Sequence, residues 1–194
     1  MDDKPLRAFI ALDLPDVLKK EIEELLFRLK KAGADVKWVH PQNMHLTLKF
    51  LGDTPPDRIA LVKSSLDDLG ARQKPFQMHC AGLGGFPDLN HPRVLWAGVD
   101  EGEEALKALA DAVESEAAKI GFPREDRAFS AHLTLGRVRG RMNLERLVRE
   151  MKAIPFSSAE KAVMDHLTLY KSILTKEGSV YEPIHVVRFG GMRA

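Results

Sequence analysis

A single cysteine, Cys80, stands among the 194 residues, which excludes an internal disulfide and leaves no cysteine cluster for a structural zinc. Net charge is as scarce. The 29 Lys and Arg against 28 Asp and Glu leave +1, so the chain does not coat nucleic acid by bulk electrostatics. Any anionic partner must be met by a local positive site. No run of about 18 apolar residues occurs, and the start, Met1-Asp2-Asp3-Lys4-Pro5, lacks the basic and apolar regions of a secretory signal. The expectation is a cytoplasmic protein with no membrane partner. Low-complexity stretches and long linkers are missing too. What is present, 44% hydrophobic and 29% charged residues, reads as a soluble globular chain with a substantial core.

The apolar pattern alternates between the periods of strand and helix. A short apolar run at 7–12, closed by Asp13 and Pro15, predicts a buried strand. Val17, Leu18, Ile22, Leu25, Leu26 and Leu29 recur at helical spacing and predict a helix over 16–31, ended by Gly33. Strands follow at 36–39 and 44–51 across the turn-like His40-Pro41-Gln42-Asn43. A helix over 56–69 has Pro56 in its first turn and Gly70 at its end. Next come paired strands at 76–83 and 93–99, an amphipathic helix at 103–120, and a strand at 132–137. A short helix near 143–151 precedes strands near 163–174 and 180–189. Several strand pairs have connections too short for parallel crossovers. The order predicts an α+β fold, with antiparallel sheets and helices on their outer faces. The two sequence halves read as lobes of one unit, not as separate domains on a linker.

The tetrapeptide His-Leu-Thr-Leu occurs at His45 to Leu48 and again, 87 positions on, at His132 to Leu135. A third copy stands at His166 to Leu169. With 7 His and 5 Thr in the chain, composition alone places a Thr two after a His roughly 0.2 times. The half-chain offset fits a duplicated fold in which each half contributes one copy. A strand sends residues i and i+2 to one face, so each copy presents an imidazole beside a hydroxyl and turns two leucines inward.

Two imidazoles on opposite sides of a small anion act as general base and general acid at neutral pH. The hydroxyls of Thr47 and Thr134 would donate hydrogen bonds to oxygens between them. That arrangement suits in-line attack at phosphorus, with one histidine deprotonating water and the other protonating the departing oxygen. An activated, strained cyclic diester needs no metal or other cofactor for this. Lys49, after the first motif, and Arg137 and Arg139, after the second, are candidates for the local positive charge, and Phe50 for a face on which a base stacks.

These residues resemble the two-histidine (2H) phosphoesterases, and within them the RNA 2′,3′-cyclic phosphodiesterases once named 2′-5′ RNA ligases. The resemblance spans almost the whole chain. It includes Arg7-Ala8-Phe9-Ile10-Ala11-Leu12, His45-Leu46-Thr47-Leu48-Lys49-Phe50-Leu51-Gly52 and Pro92-Arg93-Val94-Leu95-Trp96-Ala97-Gly98-Val99. His132-Leu133-Thr134-Leu135-Gly136-Arg137 and Leu169-Tyr170-Lys171-Ser172 complete it. Many members have Pro before the second histidine, where this chain has Ala131, a change in loop stiffness. The resemblance implies one bilobal, pseudo-twofold domain over 1–194 with a central cleft, and hydrolysis of an RNA-terminal 2′,3′-cyclic phosphate to a 2′-phosphomonoester, with His45 as proton donor and His132 as proton acceptor. Carried over in the same way, Thr47 and Thr134 would hold the phosphate; Arg137 and Phe50 are substrate-binding candidates from their places after the motifs. Reversible 2′-5′ ligation follows from the same pair. The implied partner is RNA with 2′,3′-cyclic phosphate ends, tRNA fragments being one source, and the implied state a monomer.

The other histidines are His40 and His91 in loops, His79 and His185 in strands, and His166. His166 is read as lying inside a continuous strand, with no role in proton transfer. Three alternatives stay open: a metal site built from several histidines, a non-catalytic RNA-end binding module, and a 2H enzyme with another cyclic or oligonucleotide phosphodiester. No histidine pair has the His-x-x-x-His helix spacing that a metal site commonly uses.

Overall fold

Two antiparallel sheets carry the three motif copies. The computed structural model describes residues 4–175 and 179–191, so Met1 to Asp3 of the acidic start lie outside the described residues. In chain order the elements are β1 (Leu6–Asp13), α1 (Asp16–Lys30), β2 (Val36–Trp38), β3 (His45–Thr54), α2 (Pro56–Arg72), β4 (Phe76–Phe86) and β5 (Val94–Glu101). They continue with α3 (Glu103–Lys119), β6 (His132–Val138), α4 (Leu144–Ala153), β7 (Ala162–Met164), β8 (His166–Leu174) and β9 (Ser179–Arg188). Sheet A has the order β3-β1-β8-β9 and sheet B the order β2-β6-β5-β4-β7. Each strand turns alternate residues inward. Leu46, Leu48, Leu133, Leu135, Leu167 and Leu169, the leucines of all three motif copies, are buried in one continuous core. Truncating a leucine so placed costs about 2–5 kcal/mol, so the motifs anchor the fold as firmly as they furnish its open face.

The helices cover the sheets' outer faces. α2 and α3 pack on each other and on sheet A, while α4 packs on β4 of sheet B and on α1. α2 runs on to Arg72, past the predicted stop at Gly70. Gly70 is there for proximity: a Cβ on it would overlap the Val187 side chain of β9. Val17, expected on the buried stripe of α1, is 60% exposed, and Leu18 takes the inward position.

The duplication is visible in the elements. β1, α1, β3 and α2 recur in order as β5, α3, β6 and α4. The lobes, however, are not the two sequence halves, as the sequence reading expected. In sheet A, β1 lies between β3 and β8; in sheet B, β5 lies between β6 and β4. The first repeat therefore lends β4 to the other lobe, and the second lends β8. β2 and β3 likewise part company: β2 pairs with β6 and β3 with β1, and the turn at Pro41–Asn43 carries the chain between sheets.

A second correction concerns 163–174. The chain breaks at Asp165: β7 pairs with β4 in sheet B, and β8 pairs with β1 and β9 in sheet A. His166 is thus a strand's first residue, like His45 and His132.

Two histidines without a sequence role serve as clamps. His185 Nε2 lies 2.8 Å from Asp67, tying β9 to α2. His79 donates from Nδ1 to Asp100 at 2.6 Å and from Nε2 to the Ser158 carbonyl at 2.8 Å. The Asp100 hydrogen bond, then the Ser158 carbonyl, raise the His79 imidazole above its ordinary value despite the burial that opposes them. A histidine raised on folding adds stability that is complete below the unfolded value, about 6.5, and is lost as pH rises through the folded value. The expected result is that His79→Gln loses more melting temperature at pH 6 than at pH 8.5. An equal loss at both pH values would show that the clamp carries no charge.

Candidate active site in the cleft

The open faces of the two sheets form the cleft walls, and β3 and β6 approach within 8 Å between Cα atoms. On β3, Thr47 opposes Ala11 and Lys49 opposes Ile10, leaving Leu48 without a cross-strand partner. β6 repeats the irregularity: Thr134 opposes Trp96 and Gly136 opposes Leu95, leaving Leu135 unpaired. Such a bulge inserts one residue and switches the alternation beyond it. Lys49 and Gly136 therefore turn inward, and Phe50 and Arg137 turn to the cleft beside the imidazoles.

This corrects the reading of Lys49 as a source of positive charge for the site. Its ammonium is buried on the helix side, 2.7 Å from Glu114 of α3 and 2.9 Å from the Pro123 carbonyl. Phe50 and Arg137 hold equivalent places and are both exposed. The Phe50 ring contacts Phe9, and Arg137 is close enough for its charge to act on His132. Arg139 lies past the end of β6, where its backbone N–H is bonded to Asp35.

The two motif imidazoles are held alike. His45 Nδ1 donates to the Asn43 carbonyl at 2.8 Å, and His132 Nδ1 donates to the Ser130 carbonyl at 2.8 Å. In each case the chain two residues before the strand turns its carbonyl back onto the ring. That acceptor fixes the tautomer, with the proton on Nδ1 and the lone pair on Nε2. Burial pushes His45 below the ordinary histidine value, against the Asn43 carbonyl and the nearby Asp13 carboxylate, which pull it up. Burial also lowers His132; the Ser130 carbonyl opposes this and the charge of Arg137 adds to it.

Aromatic side chains wall in both rings. His45 packs against Phe9, with centroids 4.8 Å apart, and edge-on against Tyr181 at 5.1 Å. His132 meets the edge of Phe86 at 5.0 Å, and Phe86 leans on Trp96. Trp96 lies across Gly84 of the next strand, where any Cβ would overlap the indole. The sequence reading passed over Phe9, Phe86 and Tyr181, which lie far from the motifs along the chain; only strand pairing brings them to the rings. Asp13 was read as a strand terminator, yet it faces His45 across β1 and β3. Among the described residues, no three His, Cys, Asp or Glu side chains converge as a metal-binding group.

Paired, tautomer-fixed imidazoles with adjacent hydroxyls are the equipment of phosphoester chemistry, and the comparisons agree. The sequence pattern of the family described as LigT like phosphoesterase matches residues 12–96 and 98–181. The chain belongs to the LigT-like phosphoesterases of the 2H superfamily. This phosphoesterase is 37% identical over 183 residues to the RNA 2′,3′-cyclic phosphodiesterase of Archaeoglobus fulgidus, covering 93% of this chain and 99% of that one. To the protein of the same name from Aquifex aeolicus it is 35% identical over 195 residues, covering 97% of this chain and all of that one. In fold it resembles a solved Thermus thermophilus structure, with a TM-score of 0.81 and 24% identity over 96% of this chain and 100% of that one. Escherichia coli LigT in complex with 3′-AMP gives a TM-score of 0.76 and 25% identity over 95% of this chain and 98% of that one. Among the described residues, no helix of this phosphoesterase is long and apolar enough to cross a membrane.

Proposed function

We propose that this phosphoesterase opens the 2′,3′-cyclic phosphate at an RNA end to a 2′-phosphomonoester by two-histidine acid–base catalysis. The observation that carries the reading is the pair of imidazoles, each with Nδ1 committed to a backbone carbonyl and Nε2 left for proton exchange. His132 is the acceptor: it takes a proton from water as the oxygen attacks phosphorus. His45 is the donor: it protonates the 3′-oxygen as the P–O3′ bond breaks. Its neighbouring Asp13 favours holding a proton, and the Arg137 beside His132 favours releasing one, which supports this division. Thr47 and Thr134, two residues on along the same face, donate to the phosphoryl oxygens as charge grows on them. Arg137 supplies the local cation, and Phe50 the face for the terminal base. With an RNA 5′-hydroxyl attacking in place of water, the same two groups form the P–O5′ bond as P–O3′ breaks and so make a 2′-5′ linkage, which the reverse reaction opens again. The names of the relatives, RNA 2′,3′-cyclic phosphodiesterase, support the substrate class.

The decisive assay is incubation with an oligonucleotide ending in 2′,3′-cyclic phosphate, with identification of the product end. The expected product is a 2′-phosphate, formed at the same rate in the presence of a chelator. A dominant 3′-phosphate would reverse the assigned leaving group, and activity lost to the chelator and restored by a divalent metal would overturn the metal-free mechanism. Binding without turnover would favour an RNA-end binding module.

A further inference from the structure

The duplication equips its two imidazoles alike but gives only one of them a carboxylate neighbour. Across β1 and β3, His45 stands directly opposite Asp13; across β5 and β6, His132 stands opposite Gly98. Directly opposed residues on one face have Cβ atoms about 4.5–5.5 Å apart, so the Asp13 charge lies close to the His45 ring. On its other flank Asp13 is gripped by β8. His166 Nε2, at 3.2 Å, and Thr168 Oγ1, at 2.6 Å, donate to one carboxylate oxygen, and the Tyr170 hydroxyl donates to the other. His166 Nδ1 donates to Asp165 at 2.6 Å, and Arg188 in turn faces Asp165 at 3.5 Å. Both N–H groups of His166 are spent on carboxylates. The third His-Leu-Thr-Leu copy is therefore a clamp for Asp13, with neither its imidazole nor its hydroxyl free for substrate.

The clamp keeps the carboxylate ionised. Burial alone raises Asp13, yet the hydrogen bonds from His166, Thr168 and Tyr170, with the imidazole's charge, outweigh it and hold the group at about 2. Asp13 acts on the His45 ring through charge, since Nδ1 of that ring is bonded to the Asn43 carbonyl. Glu21 of α1, Glu160 and Lys161 line the same hollow as Asp13, Asp165 and His166. Tyr170 and Tyr181 flank His45 on its own face. Sheet B has no such row, because the place across from His132 is a glycine.

We infer that Asp13 is a positioning residue for His45: clamped by the third motif copy, it keeps a fixed negative charge beside the first imidazole and so works against the burial that disfavours a proton there, a support His132 lacks. The inference rests on the reading of His45 as the general acid. It also gives a reason for the third copy of the motif in a two-histidine enzyme.

The test is an NMR titration of the His45 ring, paired with the pH profile of kcat/KM, in wild type, Asp13→Asn and His166→Gln. An opposite charge within about 4–6 Å moves a pKa by about 1–3 units. Because the His166 cation partly offsets that field, the expected fall in the His45 midpoint for Asp13→Asn is about half a unit or more. The alkaline limb of the rate profile should move down with it. His166→Gln keeps the carboxylate and removes the opposing cation, so its His45 midpoint should stay or rise, and turnover should remain within about tenfold of wild type, short of the loss of an acid or base. General loosening of the site would lower the midpoint in both variants. An unmoved midpoint in Asp13→Asn, or an equal fall in His166→Gln, overturns the inference. A midpoint that falls while neither limb of the profile follows upholds the Asp13 coupling and overturns the acid role of His45.

Discussion

His45→Ala and His132→Ala each lose about 10²–10⁴-fold in turnover of a cyclic-phosphate end, the usual worth of one general acid or base. Both variants should still bind a phosphate-ended RNA, because Thr47, Thr134, Arg137 and Phe50 remain. The loss therefore falls on kcat more than on KM, as when an interaction made only in the transition state is removed. The wild-type profile of kcat/KM should be a bell, since one imidazole must be neutral and the other charged. Both rings are pushed down by burial, which draws both limbs of the bell below the ordinary histidine value of about 6.5, the acidic limb being that of His132. His132→Ala should erase that limb in whatever activity remains. Folding is little threatened, since neither ring belongs to the leucine core. Near-wild-type turnover in either variant would break the paired-histidine mechanism.

The second large effect is on stability. Lys49 is 1% exposed at its side chain and Glu114 14%, and the two meet at 2.7 Å between β3 and α3. Removing one partner of a buried pair leaves an uncompensated charge and costs about 3–5 kcal/mol, a large part of a typical margin of about 5–15 kcal/mol. Glu114→Leu leaves the Lys49 ammonium with the Pro123 carbonyl alone. Lys49→Met strands a carboxylate whose second oxygen is already buried without a partner. Replacing a whole buried pair by apolar residues is often neutral or stabilising, so the Lys49→Met, Glu114→Leu double variant should recover most of either loss. Urea unfolding of the four proteins in a double-mutant cycle measures this. Single variants within 1 kcal/mol of wild type would mean the pair is not insulated from water.

The candidate site was largely legible in the sequence because its signal is local. An i, i+2 pair on a strand needs no knowledge of the fold, and the 87-residue offset announced the duplication. What escaped depends on pairing between distant segments. Plain alternation assigns Lys49 to the same face as His45 and Thr47; only the bulge at Leu48, a property of β1 and β3 together, turns it inward. Residues 163–174 read as one strand by pattern, but β4 and β1 compete for its two ends and split it at Asp165. Gly70 has the look of a helix stop, and its actual constraint is the approach of Val187. Asp13 closes an apolar run as a solvated residue would, and its three donors lie more than 150 residues away along the chain.

The exchange of β4 and β8 between lobes bears on how the protein is made. A nascent chain that has emerged only through β3 has one of the two neighbours β1 needs; the other arrives when β8 leaves the ribosome. Until then β1 presents an open edge of unpaired backbone groups, the kind that recruits foreign strands. The final pairing also closes a very long loop, and such non-local contacts slow the search for the native state. A duplicated gene of this kind cannot be cut at its midpoint into two working modules, because the exchange that binds the repeats is what completes each sheet.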